Sequence, residues 1–223
     1  MEYTLFFSYQ SDTKHEFAFI KNVLEKEVHN NLLSSKGVDL RIDFGMRNVS
    51  GNPDLLKTML EKGENCDIFL ADLTYVTKFI NTKGNEKYIP NPNVMLELGH
   101  AWNSHGNNHT IFIQNTSAGK SSDLPVDLKG FRFPISYELN DDISKEDMIK
   151  IRKDLSKGLT SAIEDAIDSI EEGNKVKYLP FEKFTLCQLH NNSEVFVKTK
   201  YFEQFSKTIT DGKSSERCPL VPV

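Results

Sequence analysis

The chain of 223 residues carries 27 Lys and Arg against 32 Asp and Glu, a formal charge of −5, with 38% hydrophobic and 26% charged residues. This is the composition of an ordinary folded protein rather than a disordered or fibrous one, and the acidic balance argues against the clustered basic surface that a nucleic-acid backbone requires. No run approaches the ~20 apolar residues needed to cross a bilayer, and the opening MEYTLFFSYQ has neither half of a signal peptide; a soluble, cytoplasmic protein with no nucleic-acid or membrane partner is expected.

Apolar and polar stretches alternate as strand, helix, strand, helix, the pattern of a parallel sheet covered on both faces. Tyr3 to Tyr9 reads as the first strand. Thr13 and Glu16 then have capping-box spacing, and Phe17, Ile20, Leu24, Val28 and Leu32 make one apolar helix face that ends near Gly37. Val38 to Ile42 is a second strand, Asn52-Pro53 opens a helix carrying Leu56, Met59 and Leu60, and Asp67 to Leu73 is a central strand, nearly continuous in apolar residues.

Thr77 to Ile89 reads as a polar loop, and Asn91-Pro92 as the cap and first turn of a helix that runs to about Ser104. His109 to Gln114 supplies a fourth strand and Gly130 to Ser136 an edge strand. Asp141 to Ser144 cap a long helix in which Met148, Ile151, Leu155, Leu159, Ile163, Ala166 and Ile170 keep helical spacing. The expected layout is one α/β domain over residues 1–172, an open parallel sheet with helices on both faces, followed by a C-terminal extension over 173–223 rich in Phe and Tyr. Cys66, Cys187 and Cys218 are odd in number, far apart and outside any CxxC pair, which points to a reducing compartment.

Ligands of open parallel sheets bind beyond the carboxyl ends of the strands. Here those positions hold Ser8, Tyr9, Gln10, Ser11 and Asp12 after the first strand, Asp43 to Arg47 after the second, and Asp72, Thr74 and Tyr75 after the third. Each of these taken singly reads as well as a helix cap or a turn residue; the cluster is what suggests a crevice.

The stretch PNPNVMLELGHAW, residues 90–102, is sharper. On a helix, Val94, Leu98, Ala101 and Trp102 form the buried face, with Glu97 at its edge beside Asn93 and His100. Gly99 stands mid-helix, where glycine costs roughly 1 kcal/mol against alanine, a sign of something approaching the backbone. Spacing alone fits a boundary glutamate paired with His100. His100 and His105 are five apart and do not share a face as an HExxH pair does, so no metal is expected. GxGxxG, GxxxxGK[ST] and GxSxG patterns are absent, which removes the main support for dehydrogenase, P-loop and serine-hydrolase readings.

Taken in order, FFSYQSD (6–12), RIDFGMRNVSGNPDL (41–55), CDIFLADLT (66–74), PNPNVMLELGHAW and LPVDLKGFRFPISY (124–137) resemble the prokaryotic TIR-like domains of antiphage defence systems over residues 1 to about 170. An ELG-type glutamate also occurs in nucleoside deoxyribosyltransferases, a related flavodoxin-like group. The resemblance implies a flavodoxin-like, TIR-like fold and cleavage of NAD, taken as substrate and not as cofactor, with Glu97 as the catalytic residue. Ser8, Tyr9, Gln10, Asp12, Asp43, Arg47, Asp72 and Asn93 are then the candidate substrate contacts. It also implies a homo-oligomer and an effector or sensor protein as partner. Two other readings stay open: a non-catalytic module of the same fold that binds a nucleotide signal or a protein, and a nucleoside deoxyribosyltransferase or nucleotide N-glycosidase.

Overall fold

The computed structural model describes residues 1–10, 14–45, 47, 51, 54–125, 128, 134–140 and 142–177. Within Met1–Asn174, which form one compact unit, period-two alternation along the strands sorts the core into two layers. On β1 (Glu2–Ser8), Tyr3, Leu5 and Phe7 point into one layer and Phe6 into the other. The first layer is closed by the N-terminal helices and the last helix, the second by the two helices between.

The N-terminal helical stretch runs as α1 (Lys14–Asn22), a π-helical turn over Val23–Val28 and α2 (His29–Lys36). It stops where expected: Gly37 takes φ 65° and donates its N–H to the Leu33 carbonyl, the left-handed cap that glycine adopts without penalty. β2 (Asp39–Asp43) follows. α3 (Leu55–Asn65) is capped by the Asp54 carboxylate accepting from the Lys57 N–H. β3 (Ile68–Asp72) is buried throughout.

β4 (Tyr75–Ile80) and β5 (Glu86–Pro90) form an antiparallel hairpin of their own, which corrects the expectation of a loop over Thr77 to Ile89. Most of the ribbon faces solvent on both sides, so it carries no apolar alternation for a sequence pattern to catch. Its turn is built by Asn81, whose side-chain Oδ1 accepts from the Lys83 and Asn85 N–H groups, and by Gly84 at φ 78°.

α4 (Pro92–His105) begins where the Asn-Pro pair places it, with the Asn91 side chain accepting from the Asn93 N–H. β6 (Thr110–Asn115) and β7 (Ile135–Tyr137) complete the sheet. α5 (Lys145–Lys177) is capped by Ser144, whose hydroxyl accepts from the Asp147 N–H. Its Leu155, Leu159, Ile163 and Ala166 are buried, with Met148, Ile151 and Ile170 packed beside them, as the spacing predicts. The helix continues past Gly173, where the extension was expected to begin, to Lys177. Thr13, Asn52-Pro53, Gly130 to Phe133, Asp141, Cys187, Cys218 and the Phe-rich stretch beyond Lys177 lie outside the described residues.

The main sheet has the order β2-β1-β3-β6-β7, with every neighbouring pair parallel. Counting only its own strands, that is 2-1-3-4-5, the flavodoxin-like order, whose direction of winding reverses between β1 and β3. The open α/β class expected from the sequence is therefore the observed one. Among the described residues no helix is long and apolar enough to cross a membrane.

Leu159, fully buried on α5, and Ile149, 66% exposed on the same helix, give a matched test of the packing. Leu159→Ala is expected to lower unfolding free energy by ~2–5 kcal/mol, and Ile149→Ala to leave it within about 0.5 kcal/mol, both read by chemical denaturation.

Candidate active site

The strand register that buries Phe6 against α4 also turns Ser8, two residues on, toward that helix. On α4, Val94, Leu98 and Ala101 are buried, which leaves Glu97 half-buried at the edge of the packed face. The two side chains, 89 residues apart in sequence, meet: Ser8 Oγ donates to Glu97 Oε2 at 2.6 Å. Ser8 is the last residue of β1. The carboxylate thus sits at the winding reversal between β1 and β3, the place where open sheets of this order bind ligands.

Burial pushes the Glu97 carboxyl above the ordinary glutamate value, and the bond from Ser8 pulls partly back, because it favours the charged form. Tyr9 adjoins. Its hydroxyl is pushed up by burial and then by the Glu97 charge, while its ring stacks on Phe17 at 4.0 Å between centroids and meets the edge of Phe44. Gly45, at φ 53°, carries the chain after β2 past this ring; a Cβ there would stand 3.6 Å from the Tyr9 hydroxyl. Lys21 and Arg47 lie over the outer ring, Phe44, at 5.1 and 5.3 Å.

The remaining expected contacts are placed differently. Asp72 follows the opposite parity on β3 and lies in the other layer from Ser8. Its Oδ1 accepts from the Thr74 N–H at 3.0 Å and the Thr74 hydroxyl at 2.6 Å, a turn-forming role. Asp43 is held by Lys62 at 3.0 Å, and Lys62 also donates to the Gly45 carbonyl. Arg47 pairs with Glu25 at 3.3 Å. The Gln10 amide donates to Glu16 at 3.2 Å, and Asn93 is exposed on the first turn of α4. Ser11 and Asp12 lie outside the described residues. The structure therefore joins Ser8 and Glu97, and does not join these to Tyr9, whose ring packs in the other layer, or to Asp72.

His100 does not pair with Glu97. It reaches across to Glu64 on α3 at 3.5 Å, which overturns the alternative that spacing allowed. The His105 ring nitrogen lies 2.6 Å from the Gly63 carbonyl oxygen, tying α4 to α3. Around Gly99 no described atom would come within 4 Å of an added Cβ, so nothing in the described chain makes use of the missing side chain.

The sequence reading passed over a polar group at the tips of β6 and β7. Asn115 is fully buried; its amide donates to Glu16 at 2.6 Å and to the Leu139 carbonyl at 2.8 Å, and its oxygen accepts from the Leu139 N–H. Gln114, also fully buried, faces the Tyr75 hydroxyl without the geometry of a hydrogen bond, and Tyr75 donates instead to the Lys120 carbonyl. The strand-end rule used for β1 to β3 covers these two residues as well, since they close β6.

No family model matches the chain, and no curated protein matches it. Among solved structures, a prokaryotic SEFIR domain superposes with a TM-score of 0.40 and 19% identity, covering 70% of this chain and 90% of that one. A flavodoxin-like domain from Synechococcus sp gives 0.35 and 15%, covering 71% and 99%. Likeness at this level carries nothing further, and the strand order alone defines the fold as flavodoxin-like.

Asp72 supplies a pH test. Burial, with Glu16 adding to it, pushes its carboxyl from 3.8 up to about 6. Between those values the unfolded chain has released the proton and the folded chain still holds it, so stability falls as pH rises through about 6 and then levels off. Asp72→Asn keeps an acceptor for Thr74 and removes the titration. Its stability relative to the parent is expected to grow between pH 4 and 6 and stay constant above, by at most ~3 kcal/mol; a gap independent of pH would contradict the assignment.

Proposed function

We propose that this protein cleaves the N-glycosidic bond of NAD or a close relative, with Glu97 as the catalytic carboxylate, and that it serves as a TIR-like enzyme of antiphage defence. The observation that carries the reading is the inward, half-desolvated Glu97 carboxylate held by Ser8 at the winding reversal of the sheet. One carboxylate suffices for this chemistry. The bond between ribose C1′ and the pyridinium nitrogen breaks with its electron pair going to nitrogen, which leaves neutral nicotinamide, so no general acid is required.

Positive charge then appears on the sugar. Glu97 faces it and accepts hydrogen bonds from the ribose hydroxyls, stabilising charge that exists mainly in the transition state. Water or a hydroxyl attacks C1′ and releases its proton to solvent, or a nucleotide ring nitrogen attacks with its lone pair and takes on the positive charge, yielding hydrolysed, transferred or cyclised ADP-ribose. Tyr9, with Phe17 and Phe44 packed about it, lies just past the strand tip in the opposite layer, where the Glu97 charge still reaches its hydroxyl.

Purified protein, assayed at high concentration, is expected to release nicotinamide from NAD, and Glu97→Gln to abolish release without loss of folding. Release that persists in the variant would refute the role of Glu97. Tm shifts with NAD but no turnover would favour a binding module, and turnover of deoxynucleosides alone would favour the transferase reading.

Ser8→Ala provides a finer test. The Ser8 bond lowers the Glu97 pKa, so its loss raises it. With ionised Glu97 as the active form, the acid limb of the rate profile is expected to move to higher pH; an unmoved limb would mean that Glu97 ionisation does not control the rate.

A further inference from the structure

Gln114 is the penultimate residue of β6, and its amide has no partner. The side chain is fully buried, and neither Oε1 nor Nε2 makes a hydrogen bond. A buried amide left unpaired costs its desolvation in full, so such groups are rare in folded chains unless a bound group completes them. The next residue, Asn115, is equally buried, yet its amide is satisfied by Glu16 and by the Leu139 backbone. The polar tip of β6 is therefore bonded on one face of the sheet and unbonded on the other.

The unbonded face is the one that carries Glu97. Alternation puts Gln114 with Phe112 in the α4 layer, where Phe6 and then Ser8 lie on β1. The parallel register aligns Ser8 with Ala71, and Ala71 with Phe112. Gln114 thus stands two strands across from Ser8 and two residues farther toward the carboxyl ends, about 12 Å between Cα atoms. Between them on β3 comes Leu73, whose N–H donates to the Ile113 carbonyl and whose buried side chain belongs to the same layer. This face presents, in order, a carboxylate held by Ser8, an apolar leucine and an unpaired amide.

We infer that Gln114 is a specificity-determining residue of this site, pairing head to tail with a primary carboxamide on the ring of the leaving base. Its Nε2 donates to the ligand carbonyl, and its Oε1 accepts from the ligand amide N–H. The inference rests on the N-glycosidic reading above and deepens it, naming the carboxamide of nicotinamide as the group recognised. With the ribose at Glu97, the pyridine ring lies over Leu73 and its carboxamide comes to Gln114.

The residue that yields to the ligand is Tyr75, the first of the hairpin, whose hydroxyl faces the amide but is held by the Lys120 carbonyl at 2.9 Å. Its ring lies against Gly119, where an added Cβ would come within 2.7 Å of it. Both atoms of the Gln114 amide gain partners only from a group with a donor and an acceptor side by side. A ketone or an ester leaves Oε1 unpaired, and a bare ring leaves both atoms so.

Ligand binding to the full chain tests this without turnover. Isothermal titration compares nicotinamide with 3-acetylpyridine, a neutral ring that keeps the carbonyl and carries methyl in place of the amide nitrogen. The parent is expected to hold nicotinamide about tenfold to a hundredfold more tightly, the cost of leaving one buried acceptor unpaired. Gln114→Met, close in shape and without an amide, is expected to bind the two ligands alike. It is also expected to melt no lower than the parent, since the free protein loses no hydrogen bond. A parent without the preference, a variant that keeps it, or a variant that melts well below the parent would overturn the inference. NAD cleavage that depends on Glu97, with no such preference, would sink this inference alone. A preference that is lost in Gln114→Met, with no NAD cleavage, would sink the cleavage reading alone.

Discussion

The hydrogen bond from Ser8 to Glu97 ties together the features on which a site here depends. It forms only because two periodicities agree. Alternation along β1 must turn Ser8 toward the α4 layer, and the helical repeat must bring Glu97 to the margin of the face that buries Val94, Leu98 and Ala101. A shift of one residue in either element would send Ser8 into the opposite layer or Glu97 away from the strand tip. The carboxylate is buried enough to resist ionisation, yet receives a bond that favours its charge, a combination suited to meeting positive charge on a substrate.

The same alternation divides the strand tips into two polar groups. Ser8 and Gln114 fall on the α4 side. Asp72 and Asn115 fall on the side of α1, where Glu16 links Asn115 to Gln10. On that second side the buried amide of Asn115 joins the tip of β6 to the backbone at Leu139, and Asp72 fixes the turn that launches the hairpin. One face of the sheet thus carries the candidate chemistry and the other holds the tips in place.

Much of this was legible in the sequence, for physical reasons that can be named. The α5 face, the Gly37 stop and the Asn91 cap were readable because each rests on a local rule: a 3.6-residue repeat, a left-handed cap, an Asn-Pro helix start. Glu97 stood out as a charge on the border of a buried stripe. The hairpin was not readable, because an exposed ribbon has no buried face to imprint alternation on its residues. Nor were the partners of His100 and Asp43, since Glu64 and Lys62 reach them from another element and no local spacing encodes such distances. Treating Ser8 and Asp72 as lining one crevice failed for a related reason: strand ends that are neighbours across a sheet can still face opposite layers.

The central claim concerns where a ribose sits. The most direct measurement is a crystal structure of the Glu97→Gln protein with intact NAD bound. The ribose that bears nicotinamide is expected within hydrogen-bonding distance of the residue 97 side chain. A nucleotide bound elsewhere on the molecule, or bound at the strand tips with that ribose turned away from residue 97, would contradict the claim.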